Sequence, residues 1–437
     1  MTAKRVVTIL VVAILGVNLA LAARIYSAAT EKTAADDPYA QFKLAAQVME
    51  LIRANHVDGD KVSYQRLTYD ALKGMVSSLD PHSQFMEPEM YQDMQTETEG
   101  KFGGLGIVIS MSKDNALTIV APMEDTPGAR AGLLPGDRII KIDGRPTEKM
   151  TLQEAVKLLR GEPGTKVTIS VFRPKAKDPG ERLKDYTIER AEIRVESVKD
   201  VKMLTDNIGY IRITQFNQPT ADEFRKALDK LEKQGMDALV IDLRNNPGGL
   251  LEAAIKVASE FVPRGELIVS TEGRDPRQTQ RYYSVGGKRR PNYPIAVLIN
   301  GGSASASEIV SGALQDTKRA VVVGETSFGK GSVQSVIKLS DGSALRLTTA
   351  KYYTPSHRVI HEHGVTPDIL VPISEEVERK LMEQRARANL PPEEGEKVEP
   401  VPDEQLDRAV DVLKGVKLFA RQMKAAGRAP RTTAALP

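Results

Sequence analysis

Residues 298–316, LINGGSASASEIVSGALQD, run from an apolar stretch through a glycine-rich turn into a segment with helical spacing. The same order recurs between residues 187 and 372, where IGYIRITQF precedes TADEFRKALDKLEKQG and ALVIDLR precedes LLEAAIKVASEFV. This alternation predicts βαβ units with largely parallel strands. Catalytic groups of such sheets collect beyond the carboxyl ends of the strands. The alternate serines Ser303, Ser305 and Ser307 therefore stand where an active site is expected.

Length and composition predict a globular protein of several domains. The chain has 437 residues, of which 41% are hydrophobic and 27% charged. The net charge is only +3 and Trp is absent, so nucleic acid is not expected as a partner. There is no cysteine, which excludes disulfides, thiolate metal sites and a cysteine nucleophile.

The N-terminus predicts export. Lys4 and Arg5 precede an uncharged, mostly apolar run over residues 6–23 that contains ALA at 20–22. A short positive region followed by such a run fits a secretory signal peptide. The run is also nearly long enough to cross a bilayer, so an uncleaved anchor in the inner membrane remains open. Both alternatives place the rest of the chain in the periplasm or another extracytoplasmic space.

The residue pattern changes several times after this segment. Short β-like runs, among them GLGIVIS and KVTISVF, surround one helical stretch, TLQEAVKLLRG, and together they have the size of a small domain. The patterns predict five regions: 1–23, signal peptide or anchor; 24–96, helices; 97–186, a β-rich domain; 187–372, the αβ region; 373–437, a charged helical tail with a Pro/Glu-rich linker.

Ser305 has two interpretations. Glu308 follows three residues later, so SASE is a capping box in which the hydroxyl caps the helix and the carboxylate returns the bond. A sharp turn from strand to helix would also project a nucleophile out of the sheet, next to amide donors for an oxyanion. Both interpretations need the same local geometry, and local sequence does not separate them.

Lys330 is the candidate base for such a serine. It lies in a Gly-flanked loop, VVVGETSFGKGSVQSVIKL, between two strand-like runs. A lysine acts as a general base only when neutral, and burial lowers its pKa towards that state. Gln334 would share a face with Lys330 in an extended chain and could hold the amine.

Gly324, Gly329 and Lys330 also imitate a phosphate-binding loop, but Gly331 stands where that motif needs Ser or Thr and a strand follows instead of a helix.

Two further groups of residues resemble functional sites. The amides of Gly248 and Gly249 in ALVIDLRNNPGGLLEAA could bind an anion beside the serine, although a plain helix-starting turn explains them equally well. His357, His361 and His363 imitate metal spacing, but no H-E-x-x-H pattern is present and helical periodicity is poor. No metal site and no cofactor are predicted.

Six motifs in order then resemble the carboxy-terminal processing, or tail-specific, serine proteases over residues 40–372: LDPHSQF, GGLGIVI, DLRNNPGG, NGGSASASEI, GETSFGKGSVQ and GVTPDI. The resemblance implies a multidomain α/β fold with a ClpP/crotonase-like αβ protease core, an inserted PDZ domain and helical N- and C-terminal segments. It also implies that Ser305 is the nucleophile, Lys330 the base and Gln334 its orienting partner. The oxyanion hole would come from the amides of Ala306 and of Gly248 or Gly249.

The β-rich domain looks like a PDZ domain that binds the C-terminus of a substrate by adding it as a strand. The residues that the resemblance assigns to this site are Gly103, Gly104, Leu105, Gly106, Ile107 and Arg160. Arg160 could link peptide binding to activation, or could simply end an exposed helix. The resemblance implies an exported endoprotease acting on proteins with exposed C-termini, a homo-oligomer, and an adaptor or activator as a further partner. The competing interpretation is a catalytically silent PDZ scaffold at the membrane.

Overall fold

The computed structural model describes residues 37–112, 115–123, 125–174, 176, 178, 182–288, 290–388 and 401–426. The segment predicted to direct export, residues 1–23, lies outside this part of the chain, as does the Pro/Glu-rich stretch at 389–400. The chain divides into two compact units, Met1–Glu87 and Pro88–Pro437. None of the described helices is both long and apolar enough to cross a membrane.

The first unit contains two helices and a short strand. The side chain of Asp37 accepts a hydrogen bond from the Tyr39 amide (3.1 Å) and caps the first helix. Ser63 caps the second helix in the same way by accepting from the Arg66 amide (3.3 Å). The elements are α1 Pro38–Asn55, α2 Tyr64–Ser77 and β1 Gln84–Met86. Both helices were predicted from their apolar spacing.

The second unit begins with α3 (Pro88–Glu99), and a β-rich domain follows. The chain enters this domain along β2 (Lys101–Gly104) and leaves it along β9 (Ala191–Arg194), which pair antiparallel. The domain is therefore an insertion with its own core, which includes Leu105, Ile119 and Ile169. Its remaining elements are β3 Ile107–Met111, β4 Leu117–Pro122, α4 Pro127–Arg130, β5 Arg138–Ile142, β6 Arg145–Pro146, α5 Leu152–Leu159, β7 Lys166–Phe172 and β8 Leu183–Glu189.

The αβ region is built on a six-stranded sheet in the order β10-β11-β12-β15-β16-β19. All of its neighbouring strands are parallel except β10 and β11, which confirms the predicted βαβ arrangement. The strands and their connecting helices are β10 Val198–Met203, β11 Ile208–Ile213, α6 Thr220–Lys233, β12 Ala238–Asp242, α7 Leu251–Ser259, β15 Ile295–Ile299, α8 Ala306–Asp316, β16 Val321–Gly324 and β19 Ile369–Leu370.

A smaller antiparallel sheet lies in the same region. Strand β13 pairs with β14 and β18, and β18 pairs with β17. The bounds are β13 Leu267–Gly273, β14 Gln280–Tyr283, β17 Ser332–Lys338 and β18 Ala344–Tyr353. Strand β17 starts directly after the Lys330 loop, so the strand predicted for SVQSVIKL is confirmed.

The C-terminal residues form α9 (Glu375–Ala388) and α10 (Glu404–Ala426). Alternate side chains of the large sheet face opposite ways: Ile211, Ile241 and Val297 join the core that contains α6, α7 and α8. Tyr210, Val240 and Leu298 face the other side, where Ala409 and Leu413 of α10 cover them. The region predicted as a charged helical tail is helical, but α10 is also one layer of the α/β core.

Candidate active site

Three loops meet at one edge of the large sheet. They follow the adjacent parallel strands β12, β15 and β16, whose last residues Asp242, Ile299 and Gly324 lie in register with their neighbours. These loops carry Gly248 and Gly249, Ser305, and Lys330 respectively. The topology therefore brings together the residues that sequence placed at three separate strand ends.

The structure distinguishes the three serines. Ser303 and Ser307 are fully buried, and their hydroxyls donate to the main-chain oxygens of Leu243 (2.8 Å) and Asn246 (2.9 Å). Ser305 is only half-buried and has φ 54° and ψ −110°. Non-glycine residues rarely adopt positive φ, and such strained positions concentrate at functional sites. Ser303 and Ser307 therefore tie the turn to the neighbouring loop, and Ser305 is the serine available for chemistry.

Glu308 connects the serine turn to the lysine loop. The carboxylate half of the predicted capping box is present: the Glu308 amide donates to the Ser305 carbonyl oxygen (2.9 Å), and Oε2 of Glu308 accepts from the Ser305 amide (2.7 Å). The same oxygen accepts from the Lys330 amide (3.0 Å), while Oε1 accepts from the Gly329 amide (2.7 Å) and the Ser327 hydroxyl (2.6 Å). Burial raises the pKa of Glu308, and the four hydrogen bonds to its carboxylate oppose the rise. The carboxylate thus holds the main chain of both candidate catalytic residues.

Lys330 lies half-buried at the end of its loop. Burial lowers the pKa of its amine, and the positive charge of Arg346 on β18 lowers it further, whereas the Glu308 carboxylate opposes the shift. A lysine in such surroundings loses its proton more readily than a lysine in water.

Gln334 leaves one acceptor atom unused. Its Nε2 donates to the hydroxyls of Thr348 (2.8 Å) and Ser332 (3.2 Å), which fixes the orientation of the amide. Its Oε1 is buried and accepts no hydrogen bond from the described residues. A buried acceptor without a donor costs free energy, so this oxygen is suited to receive a hydrogen bond from an amine.

The two glycines differ in their contacts. A Cβ on Gly248 would lie 2.7 Å from the Ser305 Cβ and 2.9 Å from the Ala306 nitrogen, so the loop passes directly against the serine. The Gly248 N–H donates to Asn246 Oδ1 (2.9 Å). The N–H groups of Gly249 and Ala306 have no acceptor in the part of the chain that the structure describes. These two amides are therefore the available donors.

The predicted peptide site lies on the edge of the β-rich domain. The sheet order β3-β4-β5-β7-β8 leaves β3 as an edge strand, and Ile107 begins it. The carbonyls of Leu105 and Gly106 accept from the amides of Gly128 (2.7 Å) and Met123 (2.8 Å). Across the described ranges, the N–H groups of Leu105 and Gly106 find no acceptor. Such a loop offers donors to a carboxylate.

The remaining residues of this site lie around that loop. Gly103 and Gly104 belong to β2 and pair with Glu192 and Ala191 rather than with the loop. The Arg160 guanidinium stacks 4.4 Å from the centre of the Phe102 ring, at the end of α5.

Arg190 is a structural residue that the sequence did not reveal. It is buried, and its guanidinium donates to the carbonyls of Leu158 (2.8 Å), Leu159 (3.1 Å) and Lys166 (3.1 Å). It therefore satisfies carbonyls at the C-terminal end of α5, next to Arg160. An arginine thirty or so residues after the helix gives no local signal of this contact.

The three late histidines do not assemble into a metal site. His357 stacks on Tyr353 (4.7 Å between ring centres) and its Nε2 lies 2.9 Å from Glu272 Oε1. The main chain of His361 packs against Gly331, where a Cβ would lie 2.1 Å from the His361 nitrogen. Among the described residues, no three His, Asp or Glu side chains are grouped to hold a metal.

Comparisons with known proteins agree with this architecture. The model of peptidase family S41 matches residues 207–371, and a PDZ domain model matches residues 118–173. A carboxy-terminal-processing protease of Bartonella bacilliformis is 45% identical over 337 residues, covering 76% of this chain and 75% of that protein. A carboxyl-terminal-processing protease of Synechocystis is 40% identical over 309 residues, covering 70% of this chain and 71% of that protein. The chain therefore belongs to the carboxy-terminal processing proteases of peptidase family S41, and it is a serine-type peptidase with a PDZ domain.

Proposed function

We propose that Ser305 and Lys330 form the catalytic dyad of this peptidase. The observation that carries the proposal is the shared carboxylate: one oxygen of Glu308 accepts from the amides of both residues. The Glu308 carboxylate thereby joins the serine turn and the lysine loop, which are separate in the sequence. Ser305 is also the least buried residue of the three serines in its turn.

Neutral Lys330 takes the proton of the Ser305 hydroxyl as the oxygen attacks the scissile carbonyl carbon. Burial and the charge of Arg346, which lower the pKa of Lys330, favour the neutral amine that this step needs. The unused Oε1 of Gln334 accepts a hydrogen bond from the amine and orients its lone pair.

The tetrahedral oxyanion is stabilised by amides placed at the start of α8. The N–H of Ala306 and the N–H of Gly249 supply the two hydrogen bonds, and Gly248 allows the loop to approach the serine without a side chain in the way. Protonated Lys330 then gives its proton to the leaving amine as the C–N bond breaks. Water, deprotonated by Lys330, hydrolyses the acyl-enzyme and restores Ser305.

The PDZ domain selects the substrate by its C-terminus. The terminal carboxylate binds the amides of Leu105 and Gly106, and the last residues of the substrate extend the sheet along β3. Arg160, which stacks on Phe102 of β2, relays occupation of the site to the protease core. The first 23 residues export the chain to an extracytoplasmic space, and they either are removed or anchor it in the membrane. A homo-oligomer and an adaptor protein complete the proposed assembly.

The test compares the purified full chain with its Ser305→Ala and Lys330→Ala variants. The substrate is a poorly folded protein that carries either an apolar or a charged C-terminal tail. We expect cleavage by the wild-type chain alone, faster with the apolar tail. N-terminal sequencing of the chain recovered from cells would show whether residues 1–23 are removed.

Each other outcome rejects a definite part of the proposal. Cleavage by Ser305→Ala at the wild-type rate would reject the dyad. Equal cleavage of the two tails would keep the dyad and reject selection by the PDZ domain. Specific binding of tail peptides without cleavage would favour the scaffold interpretation or an enzyme that awaits its adaptor, and addition of extract from the parent cells would separate those two.

A further inference from the structure

The C-terminal helix α9 reaches the active-site loops. Glu378, in the first turn of this helix, is half-buried, and its Oε1 accepts a 2.6 Å hydrogen bond from Asn300 Nδ2. Asn300 is almost completely buried, directly after β15, five residues before Ser305. A hydrogen bond to a charged acceptor at this distance is among the stronger ones in proteins.

Asn300 joins the serine turn to the glycine loop. Its Oδ1 accepts from the amides of Asn245 (2.8 Å) and Gly302 (3.1 Å), and its Nδ2 also donates to Asn245 Oδ1 (3.0 Å). Both amide hydrogens of Asn300 are therefore used, one on the glycine loop and one on Glu378. Turning this side chain over would set its oxygen against the Glu378 carboxylate and its NH₂ group against two N–H donors. Glu378 thus favours the one orientation in which Asn300 clamps the two loops.

A second contact from the same C-terminal region supports the glycine loop. Arg244, two residues after the end of β12 and four before Gly248, is 4% exposed. It donates to Asp242 (2.6 Å), the last residue of β12, and to Asp403 (2.7 Å), which lies just ahead of α10. Arg385 of α9 binds the same two carboxylates (3.3 and 3.1 Å).

We propose that Glu378 is a positioning residue for catalysis, acting through Asn300 on Ser305 and on the oxyanion-binding loop. The inference rests on the proposed dyad, because it gives Glu378 no role except to hold those loops. Small displacements of reacting groups cost large factors in rate, so loss of this hydrogen bond lowers kcat. Binding of the substrate tail to the PDZ domain does not involve Asn300, so KM stays nearly constant.

The experiment measures kcat and KM of the full chain for the substrate with the apolar tail. Glu378→Ala removes the acceptor, and we expect kcat to fall about tenfold or more while KM changes less than about twofold. Glu378→Gln keeps an acceptor oxygen of the same reach and is expected to recover most of the lost kcat. Glu375→Ala, which removes an exposed carboxylate from the same helix, is the matched control and is expected to match the wild type.

Three measurements separate this inference from the proposed function and from loss of folding: the stability of Glu378→Ala, its kinetic constants, and the activity of Ser305→Ala. The unfolding midpoint of Glu378→Ala is expected within about 3 °C of the wild-type midpoint, since one half-buried side chain is changed. A wild-type kcat in Glu378→Ala, or a rise in KM alone, would overturn the positioning role while Ser305→Ala remains inactive. Activity in Ser305→Ala would remove the dyad and the positioning role together.

Discussion

At Lys330, burial and two nearby charges decide the protonation state of the amine. Burial and Arg346 both lower its pKa, and Glu308 raises it. The attraction of Glu308 is the smallest of these three influences. Its two oxygens accept hydrogen bonds from the Ser305, Gly329 and Lys330 amides and from the Ser327 hydroxyl. The lysine is therefore held near a carboxylate that serves as a structural acceptor, while its positive neighbour favours the neutral form.

The first prediction concerns the pH profile. In the proposed mechanism the neutral amine of Lys330 is the active form, so we expect kcat/KM to rise as pH passes the pKa of Lys330 and to fall below it. Arg346→Gln removes the charge that lowers this pKa, so we expect the midpoint to move to higher pH, whereas Arg346→Lys should keep it near the wild-type value. The measurement is kcat/KM from about pH 5 to pH 10 for the three proteins. A midpoint that is the same in Arg346→Gln as in wild type would contradict the electrostatic role.

At the scale of elements, the site depends on the close passage of the glycine loop past the start of α8. Gly248 has φ 102°, and a Cβ there would meet the Ala304 oxygen at 2.7 Å and the Ser305 Cβ at the same distance. The loop is held there by Asn246, whose Nδ2 donates to the Ile213 oxygen (2.8 Å) and whose Oδ1 accepts from Gly248. No side chain fits between these two elements.

The second prediction is that Gly248→Ala separates the glycine loop from Ser305. We expect a fall in kcat of about a hundredfold, the size of losing one oxyanion donor. Gly235→Ala is the matched control: Gly235 also has positive φ (90°), but nothing lies within 4 Å of its Cβ position. It shares the backbone strain without the crowding, so its kcat should equal the wild-type value. Equal losses in both variants would attribute the effect to strain alone.

The sequence predicts the strands and helices of the αβ region and the strand ends that carry the site. It does not predict the side-chain contacts that join those strand ends. The alternation of strands and helices placed Ser305, Lys330 and the two glycines at strand ends, because the topology of parallel sheets has few solutions. Glu308 was assigned only its local capping role, since its bonds to Ser327, Gly329 and Lys330 arise 19 to 22 residues later in the chain. Periodicity carries no information on such pairings.

The whole molecule shows the clearest difference from the sequence-based expectation. The sequence patterns predict a charged helical tail with a Pro/Glu-rich linker and give it no part in the core, although Leu406, Ala409 and Leu413 have helical spacing for one apolar face. Two charged residues of the tail also form ion pairs with the core: Asp403 binds Arg244 and Arg385 binds Asp242, each more than a hundred residues away in the chain. Sequence alone does not distinguish such a paired charge from a solvated one.

The third prediction tests this pairing through acid stability. Burial raises the pKa of Asp403, but its hydrogen bonds and attraction to Arg244 outweigh burial and hold the pKa below its usual range. A lowered pKa in the folded state stabilises the protein above the unfolded value of about 4, and that stability is lost as pH falls further. We expect Asp403→Asn to reduce the free energy of unfolding by about 3 kcal/mol at pH 7, with the difference shrinking below about pH 4.

Denaturant unfolding of the core, followed at several pH values, provides the measurement. Asp407→Asn, which changes an exposed carboxylate one turn along the same region, is the control and should leave the stability within about 0.5 kcal/mol of wild type. A constant difference between Asp403→Asn and wild type from pH 7 to pH 3 would show that Asp403 acts by packing and not by its charge.

The ion pair between Arg244 and Asp403 spans 159 positions of the chain. A ribosome therefore completes Arg244, the glycine loop, the serine and the lysine well before it adds Asp403. During that interval the growing chain contains both residues of the proposed dyad but lacks one of the two carboxylates that bind Arg244 and the layer that covers the far face of the sheet. The complete support of this edge of the sheet therefore forms only after Asp403 and the covering helix α10 have been synthesised.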